Sequence, residues 1–272
     1  MQIAITGGGG FIGAATLARA QQLGHDAWSF DRSDGNDVMG SLDKLKGADS
    51  VIHLAGILGT HELFEEPERA VEINIIGSLR VMQWCIENGA GYVGITMPDA
   101  FPSIYTATKI ATQRLATALH HSRGLRVSHV RAFNAYGPGQ KHGPGHPQKI
   151  IPTFATLAWR NIPIPIWGDG TQSVDLIHVD DLARILINAT ALEDNEILDA
   201  GTGSAMTVNQ VADFVLKVTK SFAGVEYKDM RDGETPTKIV ATGEGWDLIP
   251  ADDVPYLSTL KLKETIAWYR GR

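Results

Sequence analysis

Tyr105 and Lys109 stand four residues apart in PSIYTATKIATQRLA, a spacing that puts both side chains on one face of a helix. A tyrosine phenol ionises near pH 10 and is a poor base at neutral pH. An ammonium group beside it and a positively charged nicotinamide both favour the phenolate. Lowering that pKa by about 3 units takes roughly 4 kcal/mol of differential electrostatics. Tyr-x-x-x-Lys alone is common by chance. It gains weight from a stretch far upstream that can hold a nicotinamide cofactor.

That stretch is MQIAITGGGGFIGAAT. Gly8, Gly10 and Gly13 spell G-x-G-x-x-G, while Gly7, Gly10 and Gly13 spell G-x-x-G-x-x-G. In either register the glycines let the backbone approach a pyrophosphate. The following helix offers it unpaired N–H groups and a partial positive charge. Residues 2–6 read as a buried strand and residues 11–23, rich in alanine, as that helix. The pattern asks for an acid about 20 residues on, closing the second strand. HDAWSFDRS supplies Asp31 after a strand over 25–30.

The remaining elements alternate. A short strand is predicted over 36–39, and SVIHLAG reads as a buried strand ending near Leu54 and Ala55. A helix over 67–88 leads to the strand GYVGITM, a helix over 105–122, and the strand LRVSHVRAF. Such alternation predicts an α/β fold, a doubly wound parallel sheet of Rossmann type with helices on both faces. Beyond Tyr136 the loop YGPGQKHGPGHPQ changes the texture, and the remainder of the chain mixes short strands and helices. We therefore expect a dinucleotide-binding domain over 1–160, with 171–190 packing on it. A smaller substrate-binding lobe over 161–272 completes the chain.

The 272 residues can bury a full core, and 43% hydrophobic with 20% charged residues is ordinary for a globular chain. A formal charge of −7 without a lysine/arginine block speaks against nucleic acid as partner. No run of about 18 apolar residues and no basic-apolar leader pattern is seen, so neither a membrane partner nor export is expected and a cytoplasmic location is. Cys85 is the only cysteine and reads as core. No metal site is expected. His142 and His146 are separated by Gly and Pro, and His61-Glu62 lacks the second histidine of H-E-x-x-H because Glu65 stands there. Asp180-Asp181 reads as the cap of a helix, and His120-His121 as surface.

TGGGGFIG, VIHLAG, YTATK, RAFNAYGPGQ and WGDGTQSVDLIHVDD occur in that order, with RDGETP near the end. Together they resemble the extended short-chain dehydrogenase/reductase family, in its branch of NAD-dependent nucleotide-sugar epimerases and dehydratases. The resemblance spans nearly the whole chain. It implies the G-x-x-G-x-x-G register: Gly7, Gly10 and Gly13, with Phe11 and Ile12 beside the pyrophosphate, and Gly8 and Gly9 at positions other residues could fill. It implies that Asp31 accepts from the adenosine ribose, favouring NAD over NADP, although Arg32 could receive a 2′-phosphate. Asp37 and Val38 would flank adenine, and Leu54, Ala55 and Gly56 would pass under the cofactor.

The same resemblance implies a catalytic Ser or Thr after the strand before the tyrosine. Thr96 is the only hydroxyl at that strand end and takes the role, touching substrate as well; a one-residue shift would put Met97 there. Met97 and Pro98 replace the acids of the usual dehydratase Thr-Asp-Glu, leaving Asp99, so epimerisation is favoured over 4,6-dehydration. Asn134, Arg231 and Glu234 match positions that hold a nucleoside diphosphate sugar. One departure stands out: Val174 precedes Asp175 where an arginine is usual, which removes a bidentate phosphate contact. The resemblance thus implies a sugar-nucleotide epimerase acting as a homodimer through 67–88 and 105–122. A dehydratase, a reductase of another carbonyl substrate, and a cofactor-binding regulatory protein remain as alternatives.

Overall fold

A computed structural model describes residues 1–59, 62–99, 102–143, 146–192, 194–231, 236–242, 245, 247 and 258–272. Strands β1 (Gln2–Thr6), β2 (Asp26–Phe30), β3 (Ser50–His53), β4 (Gly91–Thr96) and β5 (Val127–Ala132) form a parallel sheet in the order β2-β1-β3-β4-β5, which a later strand extends. Side chains alternate faces along these strands. Ile3, Ile5, Ile52, Val93 and Val130 pack to one side, Ala4, Val51, Tyr92 and Val127 to the other.

Helix α1 (Phe11–Gln22) lies on the first face. The second is covered by a helical run of α2 (Pro67–Val71), a π-turn (Glu72–Gly77) and α3 (Ser78–Asn88), and by α4 (Ile104–Arg123). Ser103 caps α4 by accepting from the Thr106 N–H, and Gly124 ends it in the left-handed region. Cys85 is wholly buried among these helices, and burial raises its thiol to about 12.

A second layer holds β6 (Asn134–Tyr136), α5 (Ile150–Trp159), β7 (Ile164–Trp167) and β8 (Ser173–His178). Next come α6 (Val179–Asn188), β9 (Asp194–Ala200), β10 (Ala205–Thr207), α7 (Val208–Thr219), β11 (Val225–Lys228) and α8 (Ser258–Trp268). The layer's small sheets are β10-β8-β6 and β11-β7. They pack on α5, α7 and α8 around Tyr136, Phe154, Val211, Val215, Ile266 and Tyr269. Among the described residues no helix is long and apolar enough to cross a membrane.

A division at residue 160 follows chain order more than space. Helix α6 packs beside α1, and β9 returns as the sixth strand of the main sheet, parallel to β5. Three local readings need correction. Residues 36–39 form a turn rather than a strand, because the Asp37 carboxylate accepts from the Met39 N–H and Gly40 N–H donates to the Asp37 carbonyl. The helix over 67–88 carries a π-turn at its centre. The cap of α6 is His178, whose Nδ1 accepts from Asp180 N–H, while Asp181 is buried against Lys261.

Candidate active site

One large cleft, roughly 1070 Å³, runs between the carboxyl ends of the main strands and the second layer. This is where open parallel sheets bind ligands. Its cofactor-side wall begins at the turn between β1 and α1. Gly7 has φ +72°, and a β-carbon there would come within 2.7 Å of Ala55 N; one on Gly13 would lie 2.1 Å from the Gly7 carbonyl oxygen. Side chains at either position would close the turn. Gly8 is also constrained, against expectation, because a β-carbon would meet Ser29 Oγ at 2.5 Å and Ser29 Cα at 3.0 Å. Gly10 donates to the Gly7 carbonyl and starts α1, whose first residues Phe11 and Ile12 line the cleft with Gly13.

Asp31 follows β2 beside this turn. Burial works against its ionisation. The N–H and hydroxyl of Ser33, the Gly9 amide and Arg32 outweigh it, holding the carboxyl below its usual range. Arg32, Asp37 and Val38 line the same end. Val38 is buried, and its carbonyl accepts from Arg80 Nε at 2.9 Å, so a side chain from α3 pins this turn. Leu54, Ala55 and Gly56 line the floor, the first two donating their N–H groups to Thr6 Oγ1. A backbone-lined turn at a helix N-terminus, with a carboxylate beyond it, fits a dinucleotide.

Tyr105 and Lys109 reach the middle of the cleft from α4, with Lys109 Nζ 5.8 Å from the Tyr105 ring centroid. Lys109 is only 3% exposed, and burial lowers its ammonium to about 8. Burial also raises the Tyr105 phenol above its ordinary value. The shift runs opposite to the expected lowering, because removing water disfavours the phenolate. Thr96 borders the cleft, but it has no exposed surface and its hydroxyl donates to Gln113 Oε1 at 2.9 Å. Gln113 lies two turns beyond Tyr105 on α4, about 12 Å along the axis. The hydroxyl proton is thus engaged by Gln113, and Met97 also lines the cleft.

At the far end Asn134 is exposed at the start of β6. Arg231 stacks on Trp167 at 4.8 Å and donates to Gln148 Oε1 at 3.0 Å. Val174 lines this end, with Lys141 and Lys149 nearby. Burial pushes the Lys149 ammonium down, partly opposed by Glu62. Glu234 lies outside the described residues. Trp167 belongs to the WGDG run, but nothing in that run signals its stacking on Arg231, which comes much later in the chain. His142, discounted as a ligand, pairs with Thr156 Oγ1 at 2.8 Å.

Residues 3–201 match the sequence profile of the NAD-dependent epimerase/dehydratase family. The chain is 29% identical over 238 residues to the UDP-glucuronate 4-epimerase of Thermodesulfobacterium geofontis, covering 80% of this chain and 72% of that one. It is 28% identical over 229 residues to a dTDP-glucose 4,6-dehydratase of Streptomyces griseus, covering 77% and 68%. Among solved structures, the UDP-glucose 4-epimerase of Thermotoga maritima superimposes with a TM-score of 0.86 at 25% identity, over 99% of both chains.

Proposed function

The chain belongs to the NAD-dependent epimerase/dehydratase family, and on that premise we propose that it epimerises the sugar of a nucleoside diphosphate sugar at C4. The observation that carries this reading is one shared cleft. The glycine turn and Asp31 lie at one end, Tyr105 and Lys109 at the centre, and Asn134, Lys149 and Arg231 at the other. Bound NAD supplies an acceptor that takes a hydride and can give it back. Gly7, Gly10, Phe11, Ile12 and Gly13 would hold its pyrophosphate, and Asp31 its adenosine ribose.

As a phenolate, favoured by the charges of Lys109 and of the nicotinamide that bound NAD would bring, Tyr105 would take the proton from the C4 hydroxyl and later return it. Lys109 keeps a positive charge beside the phenol, opposing the burial that holds it protonated. Thr96 would serve the C4 oxygen only by turning its hydroxyl from Gln113, and Met97 has no group to take its place. Arg231 and Lys149 are the cations available for the diphosphate where Val174 removes the usual one. Val71 and Ile76, exposed on the helical run, offer apolar surface for a homodimer.

The dehydratase alternative needs carboxyl groups beside the tyrosine. Asp99, the only acid between Thr96 and Tyr105, is exposed and does not line the cleft. The test is incubation with NAD and a panel of UDP-, dTDP-, GDP- and CDP-sugars, followed by NMR of the sugar products. The expected result is interconversion of C4 epimers. Tyr105→Phe should keep NAD binding and lose at least about 100-fold of the rate. Loss of water from the sugar would select the dehydratase reading, and no conversion across the panel would remove both.

A further inference from the structure

We infer that His53 is a positioning residue: it joins two hydrogen-bond clamps, one on Thr6 and one on Asn74, into a single brace that fixes the cleft floor over residues 54–57. Thr6 Oγ1 accepts from the Leu54 and Ala55 N–H groups, both at 3.2 Å. Asn74 grips the other end, Oδ1 accepting from Ile57 N–H at 2.9 Å and Nδ2 donating to the Ile57 carbonyl at 3.1 Å. Between them lie Thr6 Oγ1 to His53 Nδ1 at 2.8 Å, His53 Nε2 to Ser78 Oγ at 2.9 Å, and Ser78 Oγ to the Asn74 carbonyl at 2.6 Å. Thr6, His53, Asn74 and Ser78 are each at most 1% exposed.

The direction of every bond comes from counting donors. Thr6 Oγ1 already accepts two backbone N–H groups, so its own proton goes to His53, and Nδ1 is bare. The ring is then the Nε2–H tautomer, donating to Ser78, whose proton goes on to Asn74. That carbonyl is available because of the π-turn. Ser78 N–H bonds to Ile75 O there, leaving Asn74 O for the hydroxyls of Ser78 and Thr112. The brace ends on the helix that carries the central pair, since Asn74 Nδ2 also donates to Thr108 Oγ1 and Thr108 to the Tyr105 carbonyl. Gly56 passes close to both, for a β-carbon there would lie 2.9 Å from Asn74 Oδ1 and 3.5 Å from Lys109 Nζ.

Among the described residues, the titratable groups facing the imidazole are Tyr92 from β4, with ring centroids 5.6 Å apart, and Lys109 from α4. Burial, reinforced by the Lys109 charge, lowers His53 to about 3, which keeps the ring neutral. A charged imidazole would offer two donors and break the Thr6 link.

The inference rests on NAD occupying this floor and not on the identity of the sugar. The test is a double-mutant cycle of Thr6→Val and Ser78→Ala, read as NAD affinity by calorimetry. These two residues are linked through His53, so their losses should not add. Each single variant should weaken NAD binding by about 3- to 10-fold, and the double should be within about twofold of the weaker-binding single. Losses that multiply would overturn the brace. An unmodified protein that binds no NAD would instead remove the cofactor reading beneath it. Independently of the variants, nitrogen NMR of the unmodified, cofactor-free protein should show His53 protonated on Nε2 only, unchanged between about pH 5 and 8. A proton on Nδ1, or a ring that titrates in that window, would overturn the inference.

Discussion

Lys109 holds a charge in a nearly dry place, and this has a consequence that can be measured without substrate. Its folded pKa of about 8 lies below the ordinary value of 10.5. A base whose folded value is lowered destabilises the fold at every pH below that value, because the unfolded chain keeps the same charge in water. The penalty is full below about pH 8 and fades as the pH rises towards 10.5. A shift of this size corresponds to about 3 kcal/mol, an order-of-magnitude figure. Lys109→Met should therefore raise the thermal midpoint of the cofactor-free protein at pH 7, by less at pH 10, while turnover is lost. Melting curves at the two pH values decide it. A variant less stable at pH 7 would mean that the ammonium is held by more than the cleft around it. That Tyr105 and Lys109 share one helix face was legible in the sequence, because a spacing of four residues puts them there. The direction of the Thr96 hydroxyl was not legible, since only the folded strand shows it meeting Gln113.

At the scale of elements, the cofactor selectivity proposed for this chain rests on Asp31 after β2 and the turn that follows it. The Asp31 carboxylate is held ionised beside Gly9, where its charge would repel a 2′-phosphate. Arg32 follows it in the short helical turn Arg32–Asp34. Asp31→Ala should weaken NAD binding and narrow its advantage over NADP, leaving Arg32 to favour the phosphate. Titration of both cofactors into both proteins checks this, and a preference for NADP in the unmodified chain would show that Arg32 dominates. The glycine turn and Asp31 could be read from sequence because their constraint is local. The turn over 36–39 could not, because part of what pins it is Arg80, some 40 residues away, donating to the carbonyls of Val38 and Gly40. The brace through His53 was hidden for a similar reason. Its members are single polar residues in otherwise apolar runs, joined by contacts 25 and 47 residues apart.

At the scale of the whole molecule, the second layer is tied to the cleft by its last helix, α8. Lys261 meets the buried Asp181 at the start of α6, and Trp159 Nε1 donates to the Ile266 carbonyl at 2.7 Å. Just beyond the helix, the Tyr269 hydroxyl donates to the carbonyls of Gln140 at 3.0 Å and Gly137 at 3.2 Å, holding the loop that carries Pro138, Gly139, Gln140 and Lys141 along the rim. Burial raises its phenol to about 12, so it stays a donor at neutral pH. Composition marked this loop as rich in Gly and Pro, but nothing in the order of residues joined it to a tyrosine some 130 positions later. Tyr269→Phe keeps the ring and removes only the donor. The loop should then open more often, while the glycine turn on the main sheet is unaffected. Hydrogen exchange should quicken at residues 137–142 and stay unchanged at 7–13. Nucleotide-sugar KM should rise about 3- to 10-fold with NAD affinity intact, the range expected for one lost hydrogen bond. Equal weakening of both ligands, or faster exchange across both layers, would show that Tyr269 supports the fold at large rather than the rim of the cleft.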